Sequence, residues 1–143
     1  MYSFGKTSKE RLATCHPALQ EVFNEVIKHF DCSILCGLRT EEEQNQAVHD
    51  GRSKVMFPDS KHNSKYEGQL SEAVDAAPYY PDIPHIRWDD KAGFYLFAGF
   101  VKGIAVSKGI KLRYGGDWDG DNDTRDQTFM DLPHFELPNP DWP

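Results

Sequence analysis

Three short segments hold the residues best suited to chemistry: Ser60-Lys61-His62, Ala73-Val74-Asp75 and Asp131-Leu132-Pro133-His134. Two imidazoles and a carboxylate, from His62, Asp75 and His134, make a three-ligand set for zinc. Three protein ligands leave the fourth tetrahedral position open to water, which marks a catalytic rather than a structural site. Zinc held in this way lowers the pKa of water and polarises a nearby carbonyl, so the set points to metal-assisted hydrolysis. Asp131 lies three residues before His134, at most about 10 Å along an extended chain. So tethered, its carboxylate stands beside the water without occupying the metal. There it can take a proton as general base and later pass it to a leaving amine. Spacing alone leaves the plainer reading open: a loop histidine, a turn carboxylate and an aspartate ahead of an edge strand.

Ligands so far apart in the chain must be gathered by the fold. Thr7-Ser8-Lys9-Glu10 has the form of a capping box opening a short helix. Leu19, Val22, Phe23, Val26, Ile27 and Phe30 repeat at helical spacing after Pro17, predicting a helix over residues 17–30. Cys32 to Leu38 reads as a buried strand. Thr40 with Glu43 makes a second capping box for a helix stopped by Gly51. Residues 52–72 are a long polar loop, of the kind that is usually functional. A strand follows at 73–77, then a proline-punctuated connection through Pro78, Pro81 and Pro84. The longest helix spans about 90–108, capped by Asp89 or Asp90 and ended by Gly109. Strands are expected at 110–114 and 133–137. The order ααβ-α-β-α-β-β predicts an α+β domain with a small, mostly antiparallel sheet packed by helices.

A chain of 143 residues is one domain with room for a real core, so residues 1–143 are read as a single unit with no second module. Lys+Arg 16 against Asp+Glu 23 gives a net charge of -7, which argues against nucleic acid as partner and against adhesion to an anionic surface. No apolar run is long enough for a membrane anchor, and the N-terminal residues lack the form of a secretory signal. The expectation is a monomer made in a cytoplasm and acting elsewhere after release. Three cysteines without a CxxC pair suit a reduced chain.

Three motifs, taken in order, carry a family resemblance: Ser60-Lys61-His62, Ala73-Val74-Asp75-Ala76-Ala77-Pro78-Tyr79 and Asp131-Leu132-Pro133-His134-Phe135-Glu136-Leu137. They resemble the zinc peptidases that cut peptidoglycan stem peptides, namely the D-alanyl-D-alanine carboxypeptidases and the L-alanyl-D-glutamate endopeptidases of phage endolysins. Cys36-Gly37-Leu38-Arg39-Thr40 and Leu112-Arg113-Tyr114-Gly115-Gly116-Asp117-Trp118 add to the likeness, which spans residues 4–137. The resemblance implies a hedgehog/D-Ala-D-Ala peptidase-like fold, zinc on His62, Asp75 and His134, and Asp131 as base. It also implies that Arg39 orients substrate or stabilises an oxyanion, and that Ser60 contacts substrate or supports the site. The implied activity is hydrolysis of a stem-peptide bond by a phage endolysin. The rivals are terminal D-alanine trimming and a non-catalytic metal- or wall-binding module. His62 to Asp75 spans 13 positions, longer than the family pattern, which bears on the rim of the cleft. Glu67 and Glu72 are competing carboxylates for the metal.

Asp117, Asp119, Asp121 and Asp123 alternate around Gly120 and Asn122, resembling the start of an oxygen-ligand Ca2+ loop. The alternative is a solvated acidic turn. His16, His29, His49 and His85 read as helix-end or surface residues. Trp118, Tyr79 and Tyr80 read as packing that could also line a groove.

Overall fold

The computed structural model describes residues 1–138. Four helices, α1 (Lys6–Leu12), α2 (Pro17–Val26), α3 (Glu41–His49) and α4 (Lys91–Ser107), accompany four strands. The strands are β1 (Cys32–Cys36), β2 (Ala73–Pro78), β3 (Arg113–Tyr114) and β4 (His134–Glu136), and they form one antiparallel sheet in the order β1-β2-β4-β3. Fold class and element order agree with the sequence expectation. Among the described residues no helix is long and apolar enough to cross a membrane.

Element ends differ in instructive ways. The first helix is capped by Gly5 without a side-chain bond, not by Thr7. Ser8 lies inside the helix, and its hydroxyl accepts from the Ile34 amide of β1 instead (3.0 Å). The second helix ends at Val26, but the chain stays coiled through shorter bonds such as Lys28 N–H to Glu25 O. Phe30 therefore keeps its place against Phe97, with ring centroids 5.1 Å apart. The capping box of Thr40 and Glu43 is present in both directions. Asp90, rather than Asp89, caps α4. The third strand is only two residues long because its partner β4 offers only Glu136 and Phe135 to pair with Arg113 and Tyr114.

Strand alternation sets the two faces of the sheet. Ile34, Val74, Ala76 and Phe135 point into the core, where Phe23 and Phe97 from α2 and α4 meet Phe135 edge-on at 5.6 and 6.2 Å. Asp75, His134 and Glu136 therefore fall on the opposite face. The central strand β2 is buried along its whole length, so its one charged residue needs partners there.

Candidate metal centre

Antiparallel pairing of β2 with β4 sets Asp75 directly across from His134. His62 arrives from the long loop, held by two backbone bonds. Arg39 N–H donates to the His62 carbonyl (2.8 Å), and Glu72 N–H donates to the Lys61 carbonyl (2.9 Å). The second bond closes the base of the 63–71 insertion, so the extra residues leave His62 in place. None of them lines either large cavity described below. Of the rival carboxylates, Glu67 is exposed and Glu72 pairs with Lys61 (3.4 Å); Asp75 is the one that meets the imidazoles.

The three side chains converge. His62 Nε2 is 3.2 Å from Asp75 Oδ1 and 3.3 Å from His134 Nδ1, and His134 Nδ1 is 3.2 Å from Asp75 Oδ1. Each imidazole has its other nitrogen engaged: His62 Nδ1 donates to the Gly37 carbonyl (2.7 Å) and His134 Nε2 donates to Glu136 Oε1 (2.8 Å). Those bonds fix the tautomers so that both inward nitrogens present lone pairs, the usual support for metal-binding histidines. Two lone pairs and a carboxylate oxygen then face one buried point, which calls for a cation or for protons. A triangle with edges near 3.3 Å is also one face of a tetrahedron around an ion about 2.0–2.1 Å from each ligand. The donor set fits a metal.

Without the ion, protons take its place. Burial lowers the pKa of His62, but the Asp75 carboxylate outweighs this and lifts it to about 10. Burial opposes protonation of His134 too, and hydrogen bonds to Asp75 and Glu136 raise its pKa nonetheless. Asp75 would be raised by burial, yet the two imidazoles hold it well below the usual carboxylate range. Metal binding must therefore expel protons at neutral pH. Affinity should climb between pH 6 and 9 by about tenfold per pH unit for each proton displaced. Competition with a chromophoric chelator across that range measures the slope, and a flat line would contradict the assignment.

Asp131 Oδ2 stands 3.9 Å from His134 Nδ1, at the edge of the triad, with ligand atoms of Asp75, Asp131 and His134 all within 4.8 Å of one another. Burial, then repulsion by Asp75, raises its pKa, the direction that suits a proton carrier near neutral pH. Its position is set by Gly115, whose carbonyl accepts the Asp131 amide (2.8 Å) and whose own amide donates to the His134 carbonyl (2.7 Å).

Residues 1–138 match the family described as phage L-alanyl-D-glutamate peptidase. The chain belongs to that family. The L-alanyl-D-glutamate peptidase of Escherichia phage T5 is 33% identical over 128 residues, covering 88% of each chain. A crystal structure of a Serratia marcescens L-Ala D-Glu endopeptidase superposes with a TM-score of 0.71 at 25% identity, covering 94% of this chain and 90% of that one.

In this family member the remaining candidates surround the triad. Arg39 Nη2 lies 3.3 Å from Asp75 Oδ2, and Nη1 donates to Gln44 Oε1 (3.2 Å). Ser60 faces a cavity, while its hydroxyl accepts from the His62 amide (3.1 Å) and so braces that ligand. Two cavities, of about 960 and 490 Å3, share Arg39, Arg52, Phe129 and Asp131, forming a groove that passes the candidate base. Trp118 lines the smaller one and packs 5.3 Å from the His134 ring. Tyr79 instead stacks on His85 at 5.0 Å, away from the groove. His16 caps α2 by accepting the Ala18 amide, and His29 pairs with Glu25.

Sequence reasoning missed four participants: Glu136, Gly37, Gln44 and Cys36. Glu136 was legible, since residues two apart on a strand share a face and His134-Phe135-Glu136 puts a carboxylate beside the ligand. Gln44 is fully buried in α3 and also accepts from Asn63 Nδ2 (3.3 Å), joining Arg39 to the His62 loop. Cys36 is half-buried rather than a core thiol. It lines the larger cavity with its sulfur 3.8 Å from His62 Nδ1. Cys15 and Cys32 are the buried thiols, both pushed up to about 12 by burial.

Proposed function

We propose that the chain is a single-domain, monomeric zinc endopeptidase that cuts the L-alanyl-D-glutamate bond of peptidoglycan stem peptides, as a phage endolysin. The observation that carries this reading is the convergence of two tautomer-fixed imidazoles and Asp75 on one buried point, with Asp131 at 3.9 Å. Membership in the phage peptidase family supports the bond assignment. Zinc on His62, Asp75 and His134 would acidify water and polarise the scissile carbonyl. Asp131 takes the proton of the attacking water and returns it to the departing amine of glutamate. Arg39, fixed between Asp75 and Gln44 and facing both cavities, meets the negative charge that develops on the carbonyl oxygen. A groove that continues on both sides of Asp131 suits an internal bond. Trimming of a terminal D-alanine would call for a closed end.

The test joins metal content with lysis of outer-membrane-permeabilised bacteria, before and after chelation and zinc replacement, and mass analysis of the released peptides. One equivalent of zinc, chelator-sensitive lysis and fragments with a new glutamate amino terminus are expected. Release of free D-alanine alone would reassign the bond. Zinc without any released peptide would favour a binding module.

We also propose Ca2+ at the 117–123 loop. Carboxylate oxygens of Asp117, Asp119 and Asp121 lie within 4.8 Å of one another. Asp117 is buried; its Oδ2 accepts the Asn122 amide (2.9 Å) and lies 3.6 Å from Lys102 Nζ, while Oδ1 finds no hydrogen-bond partner among the described residues. A buried, unpaired carboxylate oxygen is costly unless a cation meets it. Added calcium at fixed zinc should raise the melting temperature and turnover, and equal values with calcium chelated would remove the site.

A further inference from the structure

Charge is distributed unevenly along the groove. On a chain of net charge -7, five of the 16 Lys and Arg side chains (Arg39, Arg52, Lys54, Lys61 and Arg113) line the 490 Å3 cavity. Three of them are engaged by internal carboxylates: Arg39 with Asp75 at 3.3 Å, Lys61 with Glu72 at 3.4 Å and Arg113 with Glu136 at 2.6 Å. The other two are available. Arg52 pairs with Asp50 at 3.2 Å, but both side chains are largely in water, where such a pair is weak and exchanges readily. No carboxylate among the described residues pairs with Lys54. Its ammonium sits 4.5 Å from the Phe129 ring centroid, a contact that holds the head group at the wall without neutralising it. Phe129 and Asp131 line both cavities, so these two cations border the same cavity as the candidate base. The 960 Å3 side shares Arg39 and Arg52 but adds the apolar Trp88, Phe94, Met130 and Leu132 and the carboxylates of Glu42 and Glu43.

We infer that Lys54 and Arg52 form the subsite for the free carboxylate of the glutamate on the leaving side of the cut bond. The inference rests on the endopeptidase reading and gives the stem peptide a direction in the groove. Glutamate has two carboxyl groups; one carries the chain onward and the other remains an anion close to the cut amide. A Lys54 with no carboxylate partner and a weakly paired Arg52, on the cavity wall that Asp131 also lines, match that anion. Alanine, with only a methyl side chain, lies toward the apolar side. Replacing the carboxylate by an amide removes the charge while keeping the shape, so walls whose glutamate is amidated are poor substrates.

The experiment measures binding of the leaving-side product, D-glutamate amide-linked through its side chain to L-lysine, and of the same peptide with the free glutamate carboxyl amidated. Zinc-loaded protein should bind the acid about tenfold more tightly than the amide, the scale of one well-placed charge contact. Lys54→Met keeps the stem over Phe129 and removes the charge, and Arg52→Met does the same for its neighbour. Each should bring the acid-to-amide ratio toward one, with zinc content unchanged as the check on folding. Equal affinity for acid and amide, no binding of either, or a ratio unmoved in both variants would overturn the subsite. Wall digests that yield no glutamate-headed fragment would sink the endopeptidase reading itself, in a separate readout.

Discussion

Asp131→Ala keeps one equivalent of zinc and loses turnover by about 10²–10⁴-fold, the usual worth of a positioned proton carrier. His134→Ala loses both metal and turnover. The contrast follows from geometry. His134 Nδ1 is one corner of the 3.2–3.3 Å triangle, and its other nitrogen is committed to Glu136. Deleting it leaves two ligands and takes one of the two partners of Glu136, which keeps only Arg113 at 2.6 Å. Asp131 stands outside the triangle, with Oδ2 3.9 Å from that nitrogen, and its backbone is held separately by Gly115. Metal content by elemental analysis and kcat/KM on purified walls read the two effects independently. Undiminished turnover in either variant would sink the mechanism.

Gly115→Ala should cost turnover about 10²-fold, although residue 115 lines neither cavity, because a displacement of about 1 Å at a reacting group is enough for that loss. A Cβ at Gly115 would collide with the Asp131 carbonyl and come within 2.9 Å of His134 Cβ. Backbone cannot swing aside as a flexible side chain can, so the segment from 131 to 134 must shift, carrying base and ligand together. Such overpacking costs about 1–3 kcal/mol of stability. Gly99→Ala on α4 is the control, since its Cβ would meet open space and a helix gains up to about 1 kcal/mol from that change. A loss of turnover in Gly115→Ala with weaker zinc binding and a lower melting temperature is expected. Equal behaviour of the two variants would remove Gly115 from any positioning role.

The sequence by itself carried the order of helices and strands, because helical periodicity and capping residues are local signals. It was poorest at ends. The second helix stops at Val26 and β3 spans only Arg113–Tyr114, since a neighbouring element decides where bonding continues. The candidate ligands were legible only as residue types in a familiar order. Their meeting was decided by the Asp75–His134 register and by the Lys61–Glu72 bond that closes the insertion.

Tertiary structure alone supplied the tautomers. Gly37 lies 25 residues from His62, and the carbonyl that orients its imidazole leaves no trace in any side-chain pattern. Gln44 likewise reaches Arg39 and Asn63 from a helix whose exposed, acidic first turn suggests a surface element. Residue types fix which chemistry is available, because ligand and base atoms are intrinsic to side chains. Distances, protonation and the charge along the groove arise from long-range pairing and burial, and those belong to the folded chain.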